Sequence, residues 1–261
     1  MEHGADNHLS GMWKWSLRLG SLAILALSWE LLAHKVSNLL MPTFTATLAA
    51  LMRLLVTKRL WEALWLSNQA MVLGFTLAAL CGISIGLLMG RYRTAEKIID
   101  PYLSILLVTP MSAVIPIIVM AMGLGLVARV MVVFSFAFVT ITVNTRAGMR
   151  MIEPGWVEMT RAFGGTERQL WLKILLRGAL PAILTGLRLG LNRAISGMIA
   201  MELLLIAIGI GRLILDFQGY FEAANLYATV VVIIAEAVIL TQLCQYLERR
   251  LTPWAGQVSS Q

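Results

Sequence analysis

A few polar residues stand out by type and spacing within otherwise apolar runs. Thr185, Arg188, Asn192 and Ser196 fall at i, i+3, i+7 and i+11, which places them in one stripe along a helix. Arg193 lies beside them, and Glu202 and Glu236 are further ionisable groups in apolar surroundings. An ionisable group at bilayer depth costs about 2.5–3.5 kcal/mol or more unless it is paired or watered. Such a stripe can therefore line a path for a solute, with Arg188 or Arg193 meeting an anion. The other account makes these residues structural partners: Arg188 snorkels to the membrane boundary, and Glu202 and Glu236 cap or pair internally. No set for covalent or metal chemistry is present. There is no HExxH and no CxxC, and His3, His8 and His34 are scattered, so no metal site is expected. Cys81 and Cys244 sit in apolar runs and read as small buried hydrophobes. An intramembrane enzyme would need a nucleophile–base or metal pair at membrane depth, and His34 is the only histidine outside the polar N-terminal tail.

The elements that must position the stripe follow from composition. The chain has 261 residues, 59% hydrophobic and 13% charged. That is too little charge to cover a soluble surface, and it indicates an all-α integral membrane protein. About 20 apolar residues cross the hydrocarbon as a helix. Six runs qualify: roughly 15–34, 68–90, 102–122, 127–148, 182–206 and 225–246. Together they make one transmembrane domain over 13–254, with polar, unstructured tails at 1–12 and 255–261. The first run does not read as a cleaved signal peptide, because Glu30 interrupts it and no small-x-small site follows. With the N-terminus inside, fifteen Lys and Arg residues fall on the cytoplasmic side. Only Lys35, Arg53, Lys58, Arg59, Arg129 and Arg212 fall on the other, so both termini are expected in the cytoplasm. The net charge of +7 is thus a topology signal. Aromatics are not interleaved with the basic residues, so no nucleic-acid partner is expected.

Three features refine this picture. The outer segment 35–67 has apolar residues at helical spacing after Pro42-Thr43, and it reads either as a helix lying on the membrane or as a linker. Gly74, Ala78, Gly82, Gly86 and Gly90 form a small-residue stripe on the second span, a surface for close packing or sliding that makes this helix central. Pro110 and Pro116 are expected to break the third span near a pathway.

The segment "EMTRAFGGTERQLWLKILLRGALP", 158–181, interrupts the apolar pattern. Pro154 suits a first helical turn. Trp156, Met159 and Phe163 share one face, and Gly164-Gly165 stops the helix. Thr166 and Gln169 have the spacing of a capping box, so a second helix starts near Glu167. Leu180-Pro181 is expected to end the loop and start the fifth span. The product is a short, stiff knuckle with apolar knobs. It can enter a groove on another protein or rest on lipid headgroups.

This segment resembles the "EAA" loop of permease subunits in binding-protein-dependent ABC importers. Glu158, Gly164, Ile174 and Leu176 fall at the motif's spacing, while Met159 and Thr160 replace two alanines and Arg177 replaces a proline. "VTPMSAVIPIIVMAMGLG", Glu202 in "MELL", Leu180-Pro181 and "LERRLTPW" are similar to the family as well. The likeness runs from about 38 to 254 and is nearest the nitrate/sulfonate/bicarbonate/taurine branch. "NRAI" at 192–195 departs from the family's small or aromatic residues. The resemblance implies six transmembrane helices in the type I ABC importer permease fold, methionine-importer-like, with a cytoplasmic coupling helix between spans 4 and 5. It implies a multi-pass protein of the bacterial inner membrane that imports a small anion. The partners it implies are a second copy of the chain, a dimer of ABC ATPase subunits and an extracytoplasmic solute-binding protein. Glu158, Arg161, Phe163, Gly164, Gly165 and Gln169 would couple to the ATPase. Thr185, Arg188, Asn192, Arg193, Ser196 and Glu202 would line the path. The sequence has no GxxxxGK[ST] loop, so no cofactor is expected on this chain, and ATP and Mg belong on the ATPase subunits. The alternative is a secondary transporter driven by an ion gradient through Glu202 and Glu236.

Overall fold

The computed structural model describes residues 5–35, 41–205 and 207–254. Among them there are helices and short turns and no strand. In chain order these are α1 (Ala5–Lys35), α2 (Phe44–Val56), α3 (Lys58–Arg91), α4 (Arg93–Val108), α5 (Met111–Met122), α6 (Leu126–Arg150) and α7 (Pro154–Ala162). Then come α8 (Glu167–Leu204), α9 (Gly209–Gly219) and α10 (Ala223–Leu251). Among the described residues α3, α6, α8 and α10 are each long and apolar enough to cross a membrane. The pair α4–α5 qualifies only as one bent span. The first expected span lies within α1. Residues 5–12, expected as part of a tail, are helical: no proline separates them from the run that follows. The tail 255–261 and residues 36–40 of the outer segment lie outside the described residues.

The chain divides into two compact units. These are Met1–Trp61 with Leu213–Val232, and Glu62–Arg212 with Ile233–Gln261.

In the first unit α1 and α2 meet at a corner built by Trp29 and Glu30. The Trp29 indole donates to Pro42 O at 3.0 Å and packs against Phe44 and Tyr227. Glu30, which interrupts the apolar run of α1, accepts from the Thr45 N–H (3.2 Å) and hydroxyl (2.9 Å). It thereby satisfies an orphan donor in the first turn of α2. Thr43 caps the same helix, accepting from the Ala46 N–H at 3.1 Å. The helix start expected at Pro42-Thr43 is therefore present. Arg59 and Asp216 form an ion pair in this unit.

In the second unit the central helix is α6, not the second span. Its most apolar stretch is 44% buried, against 28% for α3 and α8. The glycine stripe of α3 explains why. A Cβ on Gly86 would lie 2.7 Å from Thr142 O, and one on Gly74 would lie 2.6 Å from Val130 O, so the α3 backbone rests directly on α6. On the other side α8 approaches with small residues of its own: a Cβ on Gly190 would lie 2.5 Å from Ile141. Met71, Val133, Ile141, Leu191 and Met198 fill the space between the three helices. Arg129, counted by sequence among the outer charges, is only 7% exposed and donates to Leu66 O at 3.0 Å.

The third expected span, 102–122, is not straight. α4 and α5 bend by 104° at Thr109-Pro110. Pro110 precedes α5, where a missing N–H costs no helical bond. Pro116 does not break the helix as expected but sits inside α5, as Pro101 sits inside α4. Arg146 pairs with Asp100 and Glu96, and Arg150 pairs with Glu96, tying the charged start of α4 to the end of α6.

Candidate functional site

The knuckle forms as the residues dictate. α7 starts at Pro154 and ends at Ala162, with Phe163 as its C-cap. Gly164 (φ +73°) then takes the left-handed conformation. The Gly164 N–H donates to Arg161 O and the Gly165 N–H to Thr160 O, each at 2.9 Å. This pair of bonds is a complete Schellman closure. The two glycines are required for different reasons. At Gly164 any Cβ is strained by φ, whereas at Gly165 a Cβ would lie 2.7 Å from Thr160 O. The next residue, Thr166, begins the second helix with the expected capping box: its hydroxyl accepts from the Gln169 N–H (3.3 Å), and its own N–H donates to Gln169 Oε1 (2.9 Å). Gln169 therefore closes the corner from within. Arg161 donates to Glu167 at 3.0 Å across the same corner.

One expectation fails here. Leu180-Pro181 does not mark a boundary, and Pro181 lies inside a helix that runs unbroken from Glu167 to Leu204. Leu170–Leu175 is a π turn, and this wider turn carries the knuckle straight into the span. Leu170 and Leu175, 1% and 3% exposed, anchor it under Met149 and Ala179.

The outward side of the knuckle is apolar and rimmed with charge. Trp156, Met159 and Phe163 are all exposed, Phe163 at 84%. Glu158 is exposed and makes no hydrogen bond or ion pair among the described residues, and Arg168, Lys173 and Arg177 on α8 are exposed as well. Behind α7 lies a cleft of about 310 Å³ lined by Arg91, Met149, Ile152, Glu158, Arg161 and Leu175. Sequence reasoning did not include Arg91 in this site.

The polar stripe of α8 divides in two. Its lower half packs against α10: Thr185 donates to Glu248 at 2.8 Å, and the Arg188 Nε lies 3.4 Å from the same carboxyl group. The Thr241 hydroxyl holds the Asn192 side chain at 2.8 Å. Sequence reasoning missed Thr241 and Glu248, although their seven-residue spacing on α10 matches the stripe they meet. The upper half is open: Asn192, Arg193 and Ser196 are exposed. Arg193 sits about 16 Å from the Leu204 end of the helix and makes no ion pair or hydrogen bond among the described residues.

Glu202 departs from the stripe altogether. It is 1% exposed, with its carboxyl group accepting from Ser67 Oγ (2.7 and 2.9 Å) and from the Gly211 N–H (3.0 Å). Ser67 in turn accepts from the Ile210 N–H at 3.0 Å. Together the two side chains cap the first turn of α9. Gly209, at φ +64°, brings the backbone close enough for this: a Cβ there would lie 2.2 Å from Ser67 Oγ. Glu236 likewise finds a protein partner, accepting from the Asn68 amide.

A membrane-spanning helical bundle with a polar stripe on one long rod and a rigid apolar knuckle at its foot has the build of a transport permease. The chain belongs to the family described as binding-protein-dependent transport system inner membrane component, which matches residues 78–253. As a member it is the permease component of an ABC importer, and it is similar in sequence to several such proteins. The taurine transport system permease protein TauC of Escherichia coli (strain K12) is 29% identical over 260 residues, covering 94% of each chain. The putative aliphatic sulfonates transport permease protein SsuC of Bacillus subtilis (strain 168) is 28% identical, over 89% of this chain and 85% of that one. The bicarbonate transport system permease protein CmpB of a Synechocystis strain is 29% identical, over 69% and 65%. Among solved structures, the inward-facing MetNI methionine ABC transporter matches the fold with a TM-score of 0.57 and 22% identity, over 77% of this chain and 97% of that chain. These likenesses bear out the type I importer fold. They support the ABC reading and give the gradient-driven alternative no support.

Proposed function

We propose that the chain forms the membrane pathway of an ABC importer for a small anion of the sulfonate, taurine, nitrate or bicarbonate kind. Two copies pack about a twofold axis. Two separate ATPase subunits, which carry the ATP and Mg, take the knuckles on the cytoplasmic side. A solute-binding protein delivers the solute from outside, and both termini lie in the cytoplasm. With Arg188, Arg193 and the buried Arg129 set aside because they lie within spanning helices, thirteen basic residues against five still support this orientation. The names of the taurine, sulfonate and bicarbonate permeases support the solute class. The open face of Asn192, Arg193 and Ser196 supports the position of the path, and Thr185 and Arg188 close the seam between α8 and α10 beside it through Glu248.

One observation carries the reading. Trp156, Met159 and Phe163 stand exposed on a helix whose C-terminal corner is closed by the Gly164-Gly165 Schellman bonds and the Thr166/Gln169 capping box. Exposed aromatics on a rigid support are what a partner groove uses as anchors, and the unpaired Glu158 beside them offers a charge to the same partner. The test is Phe163→Glu and, separately, Glu158→Arg. Neither side chain is buried, so the permease should fold and insert as before. Co-purification of the ATPase subunit should drop by roughly 30-fold in affinity for Phe163→Glu, the size of a lost hot spot, and uptake should fall with it. Wild-type co-purification and uptake in both variants would reject the coupling role.

A further inference from the structure

We infer that Arg193 is the charge that selects oxyanions in the pathway, and that Arg188 is not. The inference rests on the pathway reading above. Sequence alone leaves the two arginines equivalent, since both lie on one helix in apolar surroundings. The structure separates them. Arg188 is drawn to Glu248 on α10, 3.4 Å away, and Thr185 donates to the same carboxyl group. Its charge is cancelled locally and its head lies in a helix–helix seam. Arg193, five residues on, faces the opposite condition: it is exposed, and no acid reaches it among the described residues. It stands near the middle of a spanning helix, where an unpaired guanidinium is tolerated only beside water.

The surroundings of Arg193 suit a planar or tetrahedral oxyanion. The guanidinium offers a fork of N–H donors that matches two oxygens at once. Thr241 holds one end of the Asn192 amide and leaves the rest of that side chain exposed next to Arg193. Ser196, one turn further along the same face, turns its hydroxyl back to Asn192 O at 2.9 Å. The face therefore presents one uncompensated positive charge and, beside it, the free N–H₂ of the Asn192 amide, whose oxygen Thr241 holds; the Ser196 proton is already committed to Asn192 O. A cation or a large neutral solute gains nothing from it.

The charge can be read without knowing the solute. In a chain carrying Cys81→Ala and Cys244→Ala, Ser196→Cys places a thiol about 5–6 Å from residue 193 on the same helix face. The full-length permease in membrane vesicles is treated with three methanethiosulfonates: the anionic sulfonatoethyl, the cationic trimethylammonium-ethyl and the neutral methyl reagent. With Arg193 present the anionic reagent should react faster than the cationic one. One unit charge at this distance in a watered cleft is worth about three- to sixfold in each rate, and high salt should shrink the preference. Arg193→Gln should abolish it and Arg193→Lys should keep it. If Arg193→Gln accumulates poorly, the salt dependence in the Arg193 chain supplies the same reading.

An anionic preference that is absent, or unchanged by Arg193→Gln and by salt, overturns the inference. So does a thiol that the neutral reagent cannot reach, since the face would then be packed rather than watered. Failure here leaves ATPase co-purification untouched, whereas failure of the Phe163 test leaves the thiol rates untouched, so the two readings fall separately.

Discussion

Ser67→Ala tests whether the knot at the start of α9 is structural. Ser67 is fully buried, and its hydroxyl both donates to Glu202 and accepts from the Ile210 N–H. Alanine removes both bonds and leaves the Ile210 N–H stranded, while Glu202 keeps only the Gly211 N–H. A buried donor without a partner costs about 1–3 kcal/mol, and the lost bond to the carboxyl group adds a comparable amount. The expected destabilisation is about 2–4 kcal/mol, or roughly 5–15 °C in Tm for a chain of this size. Ser84→Ala is the control on the same helix: that serine is exposed and donates only to Leu80 O of its own turn, so its change should stay within about 0.5 kcal/mol. Thermal unfolding of the detergent-purified chain, followed by fluorescence of its eight tryptophans, reads both. Gly209→Ala adds a second arm. Its Cβ would strike Ser67 Oγ, so Ser67→Ala with Gly209→Ala should cost less than the sum of the two. Equal Tm shifts for Ser67→Ala and Ser84→Ala, or strict additivity with Gly209→Ala, would refute the knot.

Two further outcomes follow from the same geometry. Gly164→Ala should cost about 1–2 kcal/mol through its left-handed φ, and Gly165→Ala should displace Thr160 O. Both should weaken ATPase co-purification, whereas Gly155→Ala, with nothing within 4 Å of the new Cβ, should leave it unchanged. Arg188→Ala and Glu248→Ala should each lower Tm, and the double substitution should lower it by less than their sum. A coupling of about 1 kcal/mol is expected for this half-buried pair, and a coupling near zero would remove the seam between α8 and α10.

What the sequence made legible was local. Apolar runs located the helices, because 20 residues of one character suffice to cross lipid. Gly164-Gly165 and the Thr166/Gln169 spacing placed the corner of the knuckle, because caps are bonds between near neighbours. The failures came where the deciding partner lies elsewhere in the chain. Pro181 looks like a boundary because it has no N–H to give Arg177 O, yet the helix from Leu176 to Leu204 carries it in its interior. The small-residue stripe of α3 marks close packing but not which of the two helices lies inside, and α6 takes that place because α3 and α8 both press on it. α9 was not foreseen at all. Its start is held by Ser67 from α3 and Glu202 from α8, residues 135 apart in sequence, and no local pattern in 209–219 reports them. For the same reason Glu202 looked available for transport until its acceptors were seen to be in use.

In the proposed coupling, work done at the knuckle would reach the bundle along α8. From the Thr166 cap to Leu204 the chain is one helical rod, about 57 Å along its axis at 1.5 Å per residue. A loop with soft turns would absorb a push at Phe163. Here the Schellman closure, the capping box and the Arg161–Glu167 contact fix the corner, and the π turn continues it into the rod without a joint. Moving a two-state equilibrium from 1:99 to 99:1 takes about 5.5 kcal/mol of differential binding, so any joint that yields for less would dissipate the stroke. The rod's far end is tied to α9 through Glu202 and Ser67, and its middle carries Arg193 on the open face. A tilt of α8 as one rod would therefore move the knuckle, Arg193 and the start of α9 together.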